Sequence, residues 1–374
     1  MNIAVLNWRD PWHPAAGGAE TYAWELARRL AAGGDRVWFV TARAPGQTRG
    51  EVVEGVRLAR MGGPFTLYPL VLAWLLVRRW RFDAVLDCQN GIPFFSPWVL
   101  PRRTRVLCVL HHVHDRQFGV HMSRWLAAVG RFLEGPVSRW TYRRRESVAV
   151  SPSTVLAMRE RLGWRGPIHI AHNGVSVHQP GDAGRTRQPS LVCVGRLVAH
   201  KRVDLLLDAV PALRERWPDL TVDIVGRGPE EDRLRARLPE GVTMHSYLPE
   251  EDKARLTARA WLHVSASQGE GWGLCVLEAA ALGVPTVAFD VDGLRDAIRP
   301  GETGWLIPEG ANLAKGVTAA LDELDDAYRE RCRAWAATFS WDETAGKVAA
   351  LLHGEPERNR MAWPIASRVV GEEQ

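Results

Sequence analysis

The sequence lacks the cysteine patterns that hold small secreted domains or zinc sites together. Its five cysteines are odd in number, scattered along the chain and without a Cys-x-x-Cys pair. No disulfide framework or zinc site is implied, and a reducing compartment is the natural reading. The N-terminus also lacks a basic leader followed by a long apolar core, so we expect no signal peptide. These absences predict a cytoplasmic protein.

Long hydrophobic runs are missing too. The most apolar stretch, residues 65–77, has only 13 residues and leads into Arg78 and Arg79. That is too short to span a bilayer, and we interpret it as a helix buried between a sheet and solvent. Residues 122–145 mix large apolar side chains with arginine. This pattern fits either an ordinary amphipathic helix or a helix lying at a membrane interface.

Lysine is absent from residues 1–180, whose 24 basic residues are all arginine and stand against 12 acidic ones. This half carries a net charge of +12, whereas residues 181–374 carry −7. A basic half predicts an anionic partner such as a phospholipid surface, a lipid phosphate or nucleic acid. Arginine-rich codon usage on a solvated surface is the alternative. Because no known type of aromatic-and-basic motif is visible, we expect no nucleic-acid partner.

The chain length predicts two domains, since 374 residues exceed one ordinary core. Short apolar runs alternate with amphipathic segments in both halves, which predicts an α/β fold with parallel sheets covered by helices on both faces. We expect two doubly wound, Rossmann-like domains facing each other across a cleft. The predicted divisions are a first domain at 1–177, a linker at 178–189, a second domain at 190–338, and a final helix with a tail at 339–374.

The individual elements follow from these runs. Strands are predicted at 3–6, 37–41, 84–88, 106–110, 147–150, 191–194, 221–225, 242–245, 261–265 and 286–289. Helices are predicted at 20–31, 67–77, 123–145, 203–216, 230–238, 250–258, after Glu270, and at 341–352.

The stretch from Glu270 to Glu278 (EGWGLCVLE) is the most informative in the chain. Its glycines open a helical apolar pattern, and a helix that begins this way offers unpaired backbone N–H groups at the positive end of its dipole. A phosphate bound there would have one carboxylate on each side, each able to accept hydrogen bonds from sugar hydroxyls. That arrangement suits a nucleotide-sugar. Two surface glutamates on a helix are the plain alternative.

Other candidate residues follow predicted strands, where ligands bind in paired nucleotide-binding domains. Gly17 and Gly18 open a helix after the first strand and let backbone approach a phosphate or sugar. His111 and His112 follow a later strand, and Arg116 lies just beyond them. A histidine there can bond a sugar hydroxyl or steer a proton. We expect no metal, because no two-histidine-plus-carboxylate pattern is present.

In the second half, Arg196 and Lys201 follow the strand at 191–194. Both can converge on a diphosphate, the arginine through a bidentate fork and the lysine as a point charge. Gly226 comes after the next strand and can pack beneath a nucleoside. Backbone groups near Tyr247 can read a base edge.

With these motifs the chain resembles the retaining, nucleotide-sugar-dependent glycosyltransferases of family 4, which have the GT-B fold. The resemblance runs from Ile3 to about Leu352. Its most specific part is the Glu-x7-Glu element that ends in EAAALGVP, followed by GETGWLI. The supporting segments are AGGAETYAWELARRL, VGRLVAHKRVDLLLDAV, AHNGV and FSWDETA.

The resemblance implies roles for these residues. Glu270 should contact donor sugar hydroxyls, and Glu278 should hold the ribose. Arg196 and Lys201 should clamp the diphosphate, and His112 should sit beside the sugar, with His111 as the open alternative. The remaining donor-binding residues should be Gly17, Gly18, Gly226, Tyr247, Gly271, Trp272, Gly273, Leu274 and Cys275.

Three further expectations come from the resemblance. Trp272 stands where phenylalanine is usual, which we expect to alter the sugar pocket. No cofactor or metal is expected, in agreement with the missing Asp-x-Asp pair. The final helix, from Trp341, should cross back onto the first domain.

The predicted function is therefore transfer of a hexose from a UDP- or GDP-sugar to a lipid-linked or cell-envelope glycan acceptor. The protein would act in the cytoplasm or peripherally on the inner face of the plasma membrane. Glycosylation of a small polar natural product is the main alternative. A nucleotide-sugar epimerase is an alternative of another class. A dehydrogenase is less compatible, because no Gly-x-Gly-x-x-Gly follows the first strand.

Overall fold

The computed structural model describes residues 1–64, 66–115, 118, 123–177 and 184–355. Two sheets organise this part of the chain. The first has the strand order β3-β4-β2-β1-β5-β6-β7-β8, and the second has the order β11-β10-β9-β12-β13-β14. In each sheet the first strand lies inside, and later strands are added first on one side of it and then on the other. This order confirms the doubly wound α/β fold and the two sheet-based halves that the sequence predicts.

The first sheet is almost entirely parallel, and its inner strands are buried except near their first residues. Its strands are β1 Asn2–Leu6, β2 Arg36–Thr41, β3 Gly50–Val53, β4 Val56–Arg60, β5 Ala84–Gln89, β6 Arg105–Leu110, β7 Glu146–Ala149 and β8 Ile168–Ile170. The helices around it are α1 Gly18–Ala32, α2 Leu67–Arg78, α3 Arg124–Phe132, α4 Ser138–Tyr142 and α5 Pro152–Glu160, with a π-helical turn at Leu133–Val137.

The edge of this sheet departs from the sequence prediction. Strands β3 and β4 form an antiparallel hairpin. Glu54 and Gly55 connect them, with φ values of +46° and +79°. Positive φ at both positions matches the right-handed twist of a two-residue hairpin. The turn uses Glu-Gly rather than the stronger Asn-Gly or Asp-Gly signal, which is why the pattern of residues did not reveal it.

The second sheet is parallel throughout. Its strands are β9 Ser190–Val194, β10 Thr221–Val225, β11 Val242–His245, β12 Leu262–Ser265, β13 Thr286–Phe289 and β14 Gly304–Ile307. The helices that follow in the chain are α6 Val203–Arg216, α7 Glu231–Arg235, α8 Glu250–Arg259, α9 Leu274–Ala281, α10 Leu294–Ala297, α11 Leu313–Glu323 and α12 Ala327–Ala336.

The last described helix, α13 (Trp341–His353), packs on the first half of the molecule against α1, β5 and β6. The ring of Trp341 lies 5.9 Å from that of Tyr22 in α1, and Arg29 forms an ion pair with Asp342. The chain thus returns to the first domain after the second is complete, as the resemblance implies.

Helix α2 buries Leu67, Val71 and Leu75 against the first sheet, as expected of a helix between sheet and solvent. Within the described residues, no helix is both long enough and apolar enough to cross a membrane. Residues 178–183 of the predicted linker lie outside the described residues. The chain resumes at Gly184, and the N–H of Thr186 donates to the carbonyl oxygen of Arg259 at the end of α8.

Candidate active site

The loop between β12 and α9 lies where the two domains touch. A methyl group placed on Gly271 would come 2.0 Å from the carbonyl oxygen of His111, at the end of β6. The hydroxyl of Thr154 donates a hydrogen bond to the carbonyl oxygen of Gly271 at 3.3 Å. Gly273 has φ +85° and caps α9, a conformation that favours glycine. These glycines bring the N-terminus of α9, with its unpaired N–H groups, to the cleft.

Lys201 and Glu270 meet at this N-terminus. The ammonium of Lys201 forms an ion pair with Oε1 of Glu270, and both side chains are largely buried. Burial lowers the pKa of Lys201, but the charge and hydrogen bond of Glu270 outweigh it, so that the net shift is upward. Burial raises the pKa of Glu270, but Lys201 outweighs it, so that the net shift is downward. Both groups therefore stay charged near neutral pH.

Arg196 faces the glycine pair of the opposite domain. A methyl group on Gly17 would lie 3.4 Å from Nε of Arg196, and one on Gly18 would lie 3.8 Å from the side chain of Leu274. Arg196 is exposed and makes no side-chain hydrogen bond or ion pair with any residue that the structure describes. An unpaired guanidinium in a cleft is available to a ligand anion.

Glu278 lies one turn further along α9, on the other side of Cys275. Its carboxylate makes no hydrogen bond within the described parts of the chain, and it lines a concavity of about 340 Å³ with Lys253 and Thr257. Burial raises the pKa of Glu278, Lys253 lowers it and Glu250 raises it, with a net upward shift. A second concavity of about 280 Å³ contains Arg196 and Lys201. Cys275 lines both concavities.

The two adjacent histidines after β6 have different surroundings. His112 lies beside the loop before α9, since a methyl group on Gly269 would come 3.7 Å from its Cε1. Burial, and then the nearby His114, lowers the pKa of His112 to about 3, so its imidazole is neutral near pH 7. His111 is only 6% exposed, and its ring packs edge-on against Tyr22 at 5.0 Å. The geometry therefore places His112 at the cleft and gives no support to a direct acceptor contact by His111.

Trp272 does not point into either concavity. Its ring stacks on His172 at 4.2 Å and meets Phe339 edge-on at 5.1 Å. These two residues belong to the segments that join the domains, where the N–H of Val175 donates to the carbonyl oxygen of Phe339. The side chain thus packs at the interdomain crossing. The expectation that Trp272 alters the sugar pocket has no support in this position.

The remaining predicted residues differ in what they can touch. A methyl group on Gly226 would come 1.8 Å from the carbonyl oxygen of Gly195, so this glycine permits two loops to pack closely. Tyr247 is 68% exposed, with the guanidinium of Arg227 over its ring at 5.3 Å. Arg116 lies outside the described residues, so its acceptor-side role stays a prediction.

Two residues of this site, Arg9 and Glu20, were missed by sequence reasoning. Nη1 of Arg9 donates to the carbonyl oxygen of Ala15 at 2.7 Å, and its guanidinium stacks on Trp8 at 3.7 Å. Burial lowers the pKa of Arg9, Glu20 raises it, and Arg196 across the cleft lowers it further. Arg9 nevertheless forms no ion pair with a described residue. The sequence signal for Arg9 was the Arg-Asp pair shortly after the first strand. This pair belongs to no recognised motif.

Glu20 lies at the first turn of α1 and is 3% exposed. Its Oε2 accepts a hydrogen bond from the N–H of Gly17 at 2.8 Å. Its Oε1 is buried without a hydrogen-bond partner in the described structure. An unsatisfied buried carboxylate oxygen is costly, so one beside the cleft is a candidate to bind a ligand hydroxyl.

No group of three or more His, Cys, Asp or Glu side chains among the described residues is placed to hold a metal ion. The described side chains around the helix N-terminus include cations and carboxylates, which can act on a ligand through charge and hydrogen bonds.

Comparison with known proteins supports a transferase. A family model described as Glycosyltransferase Family 4 matches residues 16–179, and one described as Glycosyl transferases group 1 matches residues 182–339. The two matches follow one another along the chain and divide it close to the predicted linker.

Relatives cover nearly the whole sequence. A glycogen synthase of Mycobacterium tuberculosis is 28% identical over 97% of this chain and 97% of its own length. A phosphatidyl-myo-inositol mannosyltransferase of Mycobacterium leprae is 28% identical over 89% of this chain and 91% of its own.

A solved structure supports the same architecture. The sucrose-phosphate synthase of Thermosynechococcus elongatus has a TM-score of 0.78 at 20% identity, over 95% of this chain and 98% of its own. At that identity the likeness concerns the fold alone. With both family models matched in order and two facing sheets of this topology, the chain belongs to the family 4 glycosyltransferases of the GT-B fold.

Proposed function

We propose that this glycosyltransferase moves a hexose from a UDP- or GDP-sugar to an acceptor hydroxyl, with retention of the anomeric configuration and without a metal ion. One observation carries the proposal. The unpaired Arg196 and the Lys201–Glu270 ion pair lie on one side of Cys275, and the unpaired Glu278 lies on the other. A ligand with a diphosphate to meet the cations, and with hydroxyl groups to meet a carboxylate on each side of Cys275, fits this pattern.

The donor is proposed to lie across the start of α9. Its diphosphate would accept hydrogen bonds from the N–H groups at Gly273, Leu274 and Cys275, at the positive end of the helix dipole. The ribose hydroxyls would donate to Glu278, whose carboxylate makes no hydrogen bond with a described residue. The sugar hydroxyls would lie at Glu270, which Lys201 holds in one orientation.

Bond cleavage would place additional negative charge on the departing diphosphate. Arg196 and Lys201 would stabilise that charge electrostatically, and the effect is strong in a site that excludes water. Removing one such stabilising side chain from an active site typically lowers turnover by about 10²–10³-fold. The positive N-terminus of α9 acts in the same direction.

The acceptor hydroxyl is proposed to attack from the face that the diphosphate leaves, and a leaving phosphate oxygen would take its proton. Glu270 is held in an ion pair with Lys201, so a covalent sugar–enzyme intermediate on this carboxylate is disfavoured. His112 is neutral near pH 7, since burial lowers its pKa to about 3. Its proposed task is therefore to hydrogen-bond a sugar hydroxyl, and not to act as an acid.

For the acceptor we propose a lipid-linked or cell-envelope glycan. The first half of the chain, which faces Glu270 and Arg196, is strongly basic, and this suits an anionic or lipid-borne acceptor. The relative named as a phosphatidyl-myo-inositol mannosyltransferase points the same way. A small polar natural product is the competing acceptor.

The test is a screen of UDP-, GDP- and ADP-sugars for nucleoside diphosphate release without an acceptor. One nucleotide-sugar should be hydrolysed slowly by the wild-type protein and not by the Glu270→Ala variant. Transfer by this enzyme should then give a product whose anomeric proton coupling matches the donor. Inverted product, or a covalent sugar-protein adduct trapped with a fluorinated donor, would contradict the mechanism.

A further inference from the structure

The helical segment between β6 and β7 exposes an unusual apolar stripe. Trp125, Val129, Phe132 and Trp140 are 68%, 45%, 59% and 60% exposed, and Pro136 between them is also exposed. The opposite face of the segment, at Ala127, Gly130, Glu134, Ser138 and Tyr142, is buried against the domain. We call the five exposed apolar residues the interfacial stripe. Its spacing of three and four residues keeps it on one side of the helix.

The π-helical turn at Leu133–Val137 keeps this stripe continuous. In an uninterrupted α-helix, the residue in line with Phe132 two turns later would be the one about seven positions on, Arg139. A π turn inserts one extra residue, so that Trp140 takes that position. The backbone irregularity therefore places a large aromatic side chain, and not a guanidinium, on the apolar side.

The charges around the stripe have one sign. Its flanks carry five exposed arginines, namely Arg124, Arg131, Arg139, Arg143 and Arg144. None of them forms an ion pair with any described residue, and Arg143 stacks on the ring of Trp140 at 4.9 Å. The only acidic residue at positions 123–145 is Glu134, which is fully buried on the inner face.

We propose that the interfacial stripe and its arginines dock the first domain onto the surface of an anionic lipid bilayer. Large aromatic side chains partition into the boundary between headgroups and acyl chains, and arginines beside them bind the lipid phosphates. A protein partner would need a matching apolar and acidic face. An anionic bilayer offers an apolar layer and negatively charged phosphates to any amphipathic helix with this charge. No exposed carboxylate of the segment would face those phosphates.

The same segment reaches the candidate active site from its inner face. The buried carboxylate of Glu134 accepts a hydrogen bond from the N–H of His114 at 2.6 Å. Nδ1 of His114 lies 3.0 Å from the carbonyl oxygen of His112, the histidine at the cleft. A bilayer on the outer face would thus bring lipid headgroups near the acceptor side of the cleft. This last step rests on the proposed function, whereas the docking itself does not.

The test is sedimentation of the full-length protein with vesicles of phosphatidylcholine alone or with about one-third phosphatidylglycerol. The wild-type protein should pellet with the anionic vesicles and should be released at about 0.5 M salt, where surface charges are screened. The Trp125→Ser/Phe132→Ser variant should lower the fraction bound by about tenfold or more, because it removes the inserted side chains. The Arg124→Glu/Arg131→Glu variant should do the same at low salt.

Matched variants change similar residues elsewhere in the first domain. Val52→Ser/Leu156→Ser removes two exposed apolar side chains, and Arg43→Glu/Arg49→Glu reverses two exposed charges. Both should bind vesicles as the wild type does. Equal loss in these controls, or no pelleting of the wild type, would overturn the proposal. A wild-type dimer that the stripe variant dissociates would also overturn it, because a second copy would then cover the stripe.

Donor hydrolysis without vesicles separates this proposal from the proposed function. Stripe variants should hydrolyse the donor as the wild type does. If no nucleotide-sugar is hydrolysed while vesicle binding behaves as described, the proposed function fails and the docking surface stands.

Discussion

Gly271 lies directly over the carbonyl oxygen of His111, with room for hydrogen but not for a methyl group. This contact fixes how far the N-terminus of α9 reaches toward the end of β6. The distance of 2.0 Å from a hypothetical methyl carbon to that oxygen means that any larger residue forces the backbone of the loop or of His111 to shift.

The Gly271→Ala variant should therefore lose activity. Its φ is not in the left-handed region, so the conflict is steric and not a matter of backbone strain. We expect a loss of about 1–3 kcal/mol in the free energy of unfolding and a fall in turnover of at least tenfold. The control is Gly346→Ala, where nothing lies within 4 Å in helix α13. It should be neutral or up to about 1 kcal/mol more stable.

The Arg196→Gln variant should have lower turnover than the wild type and nearly the same stability. Arg196 is exposed and unpaired in the described structure, so unfolding by urea should change by no more than about 0.5 kcal/mol. Turnover should fall about 10²–10³-fold if this guanidinium stabilises the departing diphosphate. Arg36→Gln changes an exposed arginine at the start of β2, at the opposite end of the strand from the cleft, and should keep full activity. Normal turnover in Arg196→Gln would remove this residue from the mechanism.

The ion pair between Lys201 and Glu270 predicts strong coupling in a double-mutant cycle. Removing either charge leaves the other buried without its partner, at a cost of about 3–5 kcal/mol for a well-buried pair. The Lys201→Met/Glu270→Gln variant should be more stable than the sum of the single changes predicts. Thermal unfolding of the four proteins gives the coupling energy. Strictly additive effects would show that the two side chains do not interact in solution.

The two carboxylates of the Glu-x7-Glu element should titrate differently. The pKa of Glu278 is raised by burial, while that of Glu270 is lowered by Lys201. As pH falls, Glu278 should take up a proton first and lose one acceptor for the ribose hydroxyls. The donor KM should therefore rise on the acid side, at a higher pH than for an ordinary glutamate. The Glu278→Gln variant should have a high KM that no longer depends on pH in this range.

Arg9 gives a prediction for the opposite domain. Its guanidinium is partly buried and forms no ion pair with a described residue, and it lies close enough to Arg196 for the two charges to repel. A bound anion between them would relieve that repulsion. Arg9→Gln should weaken binding of pyrophosphate or UDP by about tenfold, whereas Arg9→Lys should retain part of it. Isothermal titration calorimetry measures both, and equal affinity in all three proteins would exclude Arg9 from anion binding.

Much of the architecture was accessible from the sequence because it rests on simple periodicity. The strands of the second sheet up to β13 follow apolar runs bounded by turns, and most lie within one residue of their predicted ends. The final helix from Trp341 was placed with the same accuracy. Strand β14 and helices α10, α11 and α12 were missed, since the segment after Phe289 has a weaker apolar pattern.

The site was harder to predict, because its residues come from separated segments. The order of motifs predicted roles for Glu270, Glu278, Arg196 and Lys201, but it did not predict that Lys201 pairs with Glu270. The sequence could not decide between the neighbours His111 and His112. Successive side chains along an extended chain point to opposite sides, so a shift of one residue moves a side chain from the cleft to the interior. Trp272 was assigned to the sugar pocket because the motif continues through it. Its partners, His172 and Phe339, are far apart in the chain.

The most direct test is a crystal structure of the protein with the nucleotide-sugar that it hydrolyses. In that structure the diphosphate should lie within hydrogen-bond distance of the N–H groups at the start of α9 and of Arg196. The ribose hydroxyls should lie on Glu278 and the sugar hydroxyls at Glu270. A nucleotide-sugar bound away from the start of α9, with Arg196 and Glu278 both free of it, would contradict the account.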